Sequence, residues 1–470
     1  MKSVIGYAYR EIIILFKENI FYVFIDQKDH ERVGHAVLNK VYKKPDLFVH
    51  LAKKQKAFAK SFYSFLKKNN NPIGLKTISN GTLAELHEEY ERRYKQVYSH
   101  YFPILAIEIY FFEYLNEYIS SKENDSVKAA QHINILITER KAMVNRQERI
   151  AALTLCKRIQ KNKKLLNYFK SKSNEDVIEK VKGDKALHAL LRKHEKDYFW
   201  ITRDYEDPVL TLEDFIIRFK KHLCGNPSSA LAKLDAEEEK LRSDIKNISK
   251  KLKIDSKHQR LFQTMREGIY YKELRKSIVS QSLYYYDPIL GEIARRAGLS
   301  LRQARHLLTR EVRPMLTKGL DMSDKLNERI RLSAFHVIRG KTTVHTGKNA
   351  QQYFNHLVKV DKNVKRLEGM PVSPGKAKGP VKIVINPDAF HKVKKGDIIA
   401  TLQATPVFTR VLSIASGLIC DGGPGITSHP ATLAREAGIP GIIGLRMTTK
   451  ILKDGQIVEI DGDKGTVKIE

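Results

Sequence analysis

One histidine near the end of the sequence, His429, follows a glycine-rich segment and precedes a short helical pattern. Pro430 suits the first turn of a helix, because its missing N–H would have no partner there. Gly438, followed two residues later by Pro440, ends that helix after barely two turns. We therefore expect the imidazole of His429 beside the free N–H groups of a helix N-terminus, where a phosphoryl group would find hydrogen-bond donors.

The chemistry that these residues could perform is reversible group transfer. An imidazole with its ordinary pKa near 6.5 is largely neutral and nucleophilic at pH 7, and a phosphorylated ring nitrogen is a good leaving group. Glycines before the histidine, among them Gly423 and Gly425, keep bulk away from the ring, so that a second active site can approach it. Taken alone, the pattern equally fits a structural or surface histidine.

Glycine divides the chain into two regions that must be built differently. Twelve of the 26 glycines fall in residues 1–368 and the other fourteen in residues 369–470. A glycine-poor region rich in Leu, Lys and Glu indicates helices, whereas glycines between Val/Ile runs indicate strands and turns. The sequence predicts a multidomain protein with a mainly α, basic helical domain over 1–357, a linker over 358–368 and a compact α/β domain over 369–470.

Local patterns place individual elements within these regions. Two pairs are spaced as helix-capping boxes, Thr82 with Glu85 and Thr211 with Asp214, and residues 226–229 indicate a loop. In the last region, β-rich runs cover residues 381–385, 397–402 and 417–420, and a predicted hairpin over 455–469 turns at 461–465.

Several motifs in the last region occur in a recognisable order. They are Gly369-Met-Pro-Val-Ser-Pro-Gly-Lys-Ala-Lys-Gly-Pro-Val, Gly396-Asp-Ile-Ile, Thr405-Pro, Thr427-Ser-His and Ala434-Arg-Glu-Ala-Gly-Ile-Pro. From Gly369 to Glu470 the sequence resembles the swivelling β/β/α phosphohistidine domain of PEP-utilising enzymes, as in phosphoenolpyruvate synthase, pyruvate phosphate dikinase and rifampicin phosphotransferase. The resemblance implies a mobile domain that carries a phosphoryl group between sites.

The resemblance also implies roles for single residues. His429 falls on the phosphorylated position, and the supporting positions are Thr427, Ser428, Gly425, Gly423 and Arg435. This chain departs from the family in having Pro424 before the histidine and Pro430 after it, where the family usually has Gly-Gly and then Ala. Proline stiffens the segment and removes an N–H donor.

In this family, other domains load the histidine with a phosphoryl group and bind the acceptor, and residues 1–368 are the region to compare with them. That region has no glycine-rich phosphate loop and no strand–helix alternation, so we expect ATP or PEP with Mg²⁺ on a separate ATP-grasp or PEP-binding partner, and no cofactor or metal on this chain. Its pattern resembles the helical region that precedes the swivelling domain in relatives. Two pairs of residues are candidates for substrate binding. His194 and Trp200 could line an acceptor pocket or could simply be packed in the core. Lys341 and Lys348 could lie near the transferred phosphate or could simply be solvated.

Charge supplies the competing hypothesis. The formal charge is +31, and residues 369–470 account for only +4 of it, which leaves +27 on residues 1–368. Solvated helix faces explain this excess, but so would a surface for phosphorylated ligands, RNA or an acidic partner. Residues 292–308, with Gly298 in a turn and a basic second segment, have the spacing of a DNA-binding helix-turn-helix.

Cysteines and hydropathy exclude other classes. The three cysteines are far apart, which argues against a zinc site or a disulfide framework, and the apolar run over 12–16 is too short for a signal peptide or a membrane span. We therefore expect a cytoplasmic phosphotransferase or phosphocarrier component that passes phosphate to a small-molecule or protein acceptor. The alternatives are a non-catalytic binding module and a nucleic-acid-binding protein.

Overall fold

The computed structural model describes residues 8–17, 20–98, 110–139, 144–203, 208–358, 364–422, 428–445 and 447–470. Within them the N-terminal region is mainly helical and the C-terminal region is rich in strands, as predicted. The N-terminal helices are α1 (Gln27–Lys43), α2 (Leu47–Asn69), α3 (Pro72–Thr77), α4 (Asn80–Tyr98), α5 (Phe112–Ser120), α6 (Ser126–Ile137), α7 (Val144–Ile159), α8 (Lys163–Ser171), α9 (Asn174–Gly183), α10 (Lys185–Tyr198), α11 (Leu212–Cys224), α12 (Pro227–Lys251), α13 (Ser256–Arg296), α14 (Leu301–Arg305), α15 (Thr309–Lys318), α16 (Ser323–Arg331) and α17 (Gly347–Leu357). Among the described residues, every helix is too short or too polar to cross a lipid bilayer.

The N-termini of the helices test the capping boxes and the loop that the sequence predicts. The capping box of Thr211 and Asp214 is formed reciprocally and opens α11. The Thr82 prediction was wrong by one turn, because Ser79 caps α4 instead, its Oγ accepting from the N–H of Thr82 at 3.1 Å. The loop predicted at 226–229 is also wrong, since Asn226 caps α12 and Pro227 lies in its first turn.

The 41-residue helix α13 is the central element of the N-terminal region. It packs along α2 and α4, and its apolar residues enter two successive core clusters. A third cluster is formed by the helices between α7 and α11. Because one continuous helix joins the first two cores, α13 fixes the positions of polar side chains along its remaining face.

The N-terminal region also contains a small antiparallel sheet that the sequence did not predict. Its strands are β1 (Glu11–Lys17), β2 (Ile20–Phe24), β3 (Ser333–Ile338) and β4 (Lys341–Thr346), in the order β2-β1-β3-β4. The apolar run over 12–16 is strand β1, and helix α17 packs on the sheet through Ala350 and Phe354. We call β1–β4 with α17 the sheet module.

The C-terminal domain is built on an eight-stranded sheet. Its strands are β5 (Arg366–Glu368), β6 (Met370–Ser373), β7 (Lys376–Ile383), β8 (Ile398–Thr401), β9 (Gly417–Cys420), β10 (Gly441–Ile443), β11 (Ile457–Asp461) and β12 (Thr466–Ile469), in the order β5-β12-β11-β7-β8-β9-β10-β6. The predicted runs and the final hairpin are confirmed. Residues 366–368, expected in the linker, are the edge strand β5.

Strands β7 to β10 are parallel, and the apolar clusters of the domain pack around them. Helices α18 (Thr409–Leu412), α19 (His429–Ala437) and α20 (Thr448–Ile451) connect the strands. Because α19 joins two parallel strands, β9 and β10, its N-terminus lies at the carboxyl edge of the sheet, where such folds place their ligands. The fold therefore positions His429 at that edge.

Candidate functional site

Helix α19 begins at His429, as the sequence predicts. Ser428 is the N-cap with an extended backbone, Pro430 lies in the first turn, and Gly438 ends the helix with φ +67°. The hydroxyl of Ser428 makes no capping hydrogen bond. Its Oγ is buried and finds no partner among the described residues, so a polar atom beside His429 remains available to a ligand.

The ring of His429 meets the long helix of the N-terminal region. The Nζ of Lys276, on α13, lies 3.0 Å from Nε2 of His429. An ammonium group can only donate hydrogen bonds, so Nε2 accepts and the neutral ring carries its hydrogen on Nδ1. The geometry thus places the lone pair on Nε2, which could attack phosphorus when the hydrogen bond to Lys276 is released.

The surroundings keep this ring neutral. Burial first, and then the charges of Lys276 and Lys272, together lower the pKa of His429 to about 4. The two lysines lie four residues apart and therefore share a face of α13. A group with this pKa is uncharged throughout the physiological range, and the charges of two lysines on α13 act on the ring.

Apolar contacts support this docking of the C-terminal domain. Val372, Cys420, Ala431 and Ile443 belong to the same core cluster as residues of the N-terminal helices, Tyr271 of α13 among them. The histidine is therefore held against α13 by a shared apolar interface as well as by one hydrogen bond.

Of the supporting residues expected around His429 besides Ser428, the structure describes only Arg435. Arg435 is exposed and donates through Nη1 to the carbonyl of Val372 at 3.1 Å, which ties α19 to β6 and gives this residue a structural contact. Thr427, Gly425, Gly423 and Pro424 lie outside the described residues.

The structure places His194 and Trp200 in packed surroundings. Nε2 of His194 lies 3.0 Å from Oε1 of Glu148, both groups buried, and the ring meets Phe215 and Phe219 edge-on. Trp200 is buried and donates from Nε1 to the carbonyl of Asp197 at 3.1 Å. A nearby cleft of about 510 Å³ has an aromatic lining of Phe199, Tyr284 and Tyr285, but neither His194 nor Trp200 lines it.

The lysine candidates lie on the sheet module. Lys341 begins β4 and is exposed, and Lys348 lies in the first turn of α17 and is also exposed. Residues 341–346 pair with β3. Of all the predicted site residues, the described part of the structure brings together only His429 and Ser428.

Sequence reasoning missed Lys272 and Lys276. Their signal was a pair of cations four residues apart in an amphipathic stretch, which looks like any solvated helix face until the C-terminal domain is docked on it. Among the residues with defined positions, we find no cluster of His, Cys, Asp or Glu that could hold a metal ion.

The predicted helix-turn-helix segment has a short second helix. Its second helix, α14, has five residues, little more than one turn. Arg295 and Arg296 are ion-paired with Glu292, and Arg305 with Asp287. Three of the basic side chains in this segment are therefore engaged by acidic neighbours of the same fold.

Comparison with known sequences connects the site to a family. Residues 393–465 match the family described as PEP-utilising enzyme, mobile domain. A probable phosphoenolpyruvate synthase of Archaeoglobus fulgidus is 41% identical over 101 residues, which are 22% of this chain and 13% of that protein. The phosphoenolpyruvate synthase of Aeropyrum pernix is 41% identical over 102 residues, which are 22% of this chain and 12% of that protein.

A third relative extends into the helical region. The uncharacterized phosphotransferase YvkC of Bacillus subtilis is 26% identical over 349 residues, which cover 66% of this chain and 40% of that protein. This chain therefore spans 40% or less of the length of these relatives. Among solved structures, aconitase X of Thermococcus kodakaraensis aligns with 22% of this chain and 98% of its own, at 22% identity and a TM-score of 0.19. The sequence matches confirm the predicted family resemblance of the C-terminal domain and support a phosphotransferase-related role.

Proposed function

We propose that this chain, whose C-terminal domain is a mobile domain of the PEP-utilising enzyme type, acts as a phosphotransferase or phosphocarrier component with Nε2 of His429 as the phosphoryl carrier. The observation that carries the proposal is the 3.0 Å contact between Nε2 and the ammonium of Lys276, at the N-terminus of α19. It combines a neutral nucleophilic nitrogen with a cation positioned for the product.

Loading is a displacement at phosphorus. The lone pair of Nε2 attacks the donor's phosphorus, a P–N bond forms, and the bond from phosphorus to the donor's leaving oxygen breaks. The ring keeps its hydrogen on Nδ1. In the second step an acceptor oxygen attacks phosphorus, the P–N bond breaks, its electron pair returns to Nε2, and the acceptor's proton passes to solvent.

Three kinds of group are proposed to hold the transferred phosphoryl group. The Oγ of Ser428, which has no partner among the residues with defined positions, and the N–H groups of the first turn of α19 donate hydrogen bonds to its oxygens. Lys272 and Lys276 supply positive charge from α13. Each interaction is stronger with a phosphorylated ring than with a bare one, so the site favours the loaded state.

The donor is proposed to be ATP or PEP with Mg²⁺, bound by a separate partner. In support, residues 1–368 contain no glycine-rich phosphate loop, and the docked His429 faces the helical region. The acceptor is a small molecule or a protein, held by the helical region or by another polypeptide. The C-terminal domain moves between the two positions.

The test is direct detection of phosphohistidine. The full chain is incubated with extract of its source organism and either ³²P-labelled ATP or ³²P-labelled PEP, then recovered at mildly alkaline pH. We expect acid-labile, alkali-stable label that mass spectrometry locates on His429. The label should be absent from His429→Gln and retained in His194→Gln, which removes a buried histidine far from any role in transfer.

The proposal fails if His429 remains unmodified with both donors while a known phosphohistidine protein in the same extract becomes labelled. Label on another histidine, with His429→Gln as heavily modified as the original chain, would contradict it as well.

A further inference from the structure

The C-terminal domain contacts the N-terminal region through a second group of residues, on the sheet module. The Nζ of Lys450 lies 4.4 Å from the centroid of the Phe354 ring of α17 and 5.9 Å from that of Tyr22 in β2. We propose that this contact is a docking latch, in which the sheet module captures Lys450 and thereby positions His429 against α13.

The domain side of the latch is tied to the histidine segment. Lys450 belongs to α20, whose first residues are held by Asp421: the backbone N–H of Thr449 donates to its carboxylate at 3.1 Å and the Thr449 hydroxyl at 2.6 Å. Asp421 also begins the connection that leads from β9 to His429. The helix that carries Lys450 is therefore joined through one carboxylate to the end of β9.

The receiving side is an aromatic and apolar cluster. Phe354 is buried, and Tyr22 meets its ring edge-on with centroids 6.2 Å apart. Met447, which begins α20, packs against this same cluster. Attraction between a cation and an aromatic face strengthens as water is removed, and Lys450 is half-buried here.

A second lysine makes the latch depend on charge balance. The Nζ of Lys17 lies 4.8 Å from the centroid of the same Phe354 ring. Burial and the charge of Lys17 lower the pKa of Lys450, whereas Asp421 raises it. The carboxylate that holds α20 therefore also offsets repulsion between the two lysines, so that both cations can share one ring.

Lys450 acts on His429 only through other residues and does not touch the reacting atoms, so it is a positioning residue. The histidine itself reports on the latch. Docked, its ring is buried beside Lys272 and Lys276, and its pKa is about 4; released into water, it should return toward the ordinary 6.5.

The experiment is a ¹³C NMR titration of histidine Cε1 in the full chain, with His429→Gln identifying the resonance. We expect Lys450→Gln to raise the titration midpoint of His429 by one pH unit or more, while Lys450→Arg restores the original midpoint because it retains a cation over the ring. Lys453→Gln is the matched control, an exposed lysine three residues away on the same domain. Thermal melts are run on all variants, and Phe354→Leu, which keeps an apolar side chain, tests the receiving side.

The latch is refuted if the midpoint of His429 is the same in the original chain, Lys450→Gln and Phe354→Leu, or if Lys453→Gln shifts it equally. A midpoint near 6.5 in the original chain also refutes it, because the domain would then not be docked in solution. None of these readings requires phosphorylation, so the latch and the proposed carrier function can fail independently.

Discussion

At His429, one pair of lysines serves both states of the ring. Before transfer, Lys272 and Lys276 repel a protonated imidazole and so keep the nucleophile neutral. After transfer, they attract the charged phosphoryl group. A carboxylate neighbour would do the reverse, stabilising the imidazolium and repelling the phosphate. The cations on α13 thus favour both nucleophilic attack and its product.

Removing the charge of Lys276 should therefore slow transfer. We expect Lys276→Met to reduce the single-turnover rate of phosphohistidine formation or discharge by roughly 10²- to 10³-fold, the usual effect of losing one preorganised charge-stabilising donor. The measurement is rapid quench with ³²P label. Lys257→Met, on the same helix but over the Tyr42 ring, is the matched control and should be unchanged. Equal losses in both variants would assign the effect to helix stability instead.

The histidine was predictable from sequence and its lysines were not. Glycine, histidine and proline around position 429 specify a local strand–loop–helix unit, and α19 forms as expected. Lys276 is 153 residues away along the chain, and its meaning comes only from the docking of two domains. No local pattern distinguishes it from the many solvated lysines of a chain with 84 Lys and Arg residues.

Among the secondary-structure elements, those specified by their own residues were predicted, and those that depend on distant partners were missed. Strands β7 to β9 and the β11–β12 hairpin lie between glycines and were predicted from their own residues. Strand β1 instead pairs with β3, Ile14 opposite Phe335, more than three hundred residues later. A five-residue apolar run with such a distant partner carries no local strand signal beyond hydropathy, so the sheet module was missed.

Packing of α19 on the sheet provides an element-scale prediction. A Cβ at Gly441 of β10 would lie 2.6 Å from the Cβ of Ala434 in α19, with Ser373 at 3.3 Å. We expect Gly441→Ala to destabilise the C-terminal domain by about 1–3 kcal/mol, because neither neighbour can move without unpacking the helix.

Gly291 is the matched control for this substitution. It lies within α13, and a Cβ there meets no atom within 4 Å. Gly291→Ala should be neutral or stabilising by up to about 1 kcal/mol, from helix propensity alone. Denaturant unfolding followed by circular dichroism measures both. A fully stable Gly441→Ala variant would contradict the close packing of α19 against β10.

Over the whole molecule, charge and docking are linked. The N-terminal region carries most of the positive charge, and two of its lysines face the histidine of a nearly neutral C-terminal domain. The balance between docked and released domains should therefore respond to anything that changes the charge on His429, whether a phosphoryl group or a proton. A phosphoryl group adds attraction to α13, and a proton adds repulsion.

Acid should therefore release the C-terminal domain. The pKa of His429 is about 4 when docked and near 6.5 when exposed, so between these values the released state binds more protons. Docking weakens by about tenfold for each pH unit below 6.5, levels off near pH 4 and is independent of this group above 6.5. Lys272 and Lys276 are the charged groups that face the ring. Small-angle X-ray scattering at constant ionic strength should show a growing radius of gyration as the pH falls from 7 to 4.5. His429→Gln, which cannot gain the proton, should stay compact over the same range, and an identical expansion of both proteins would mean that another group drives the release.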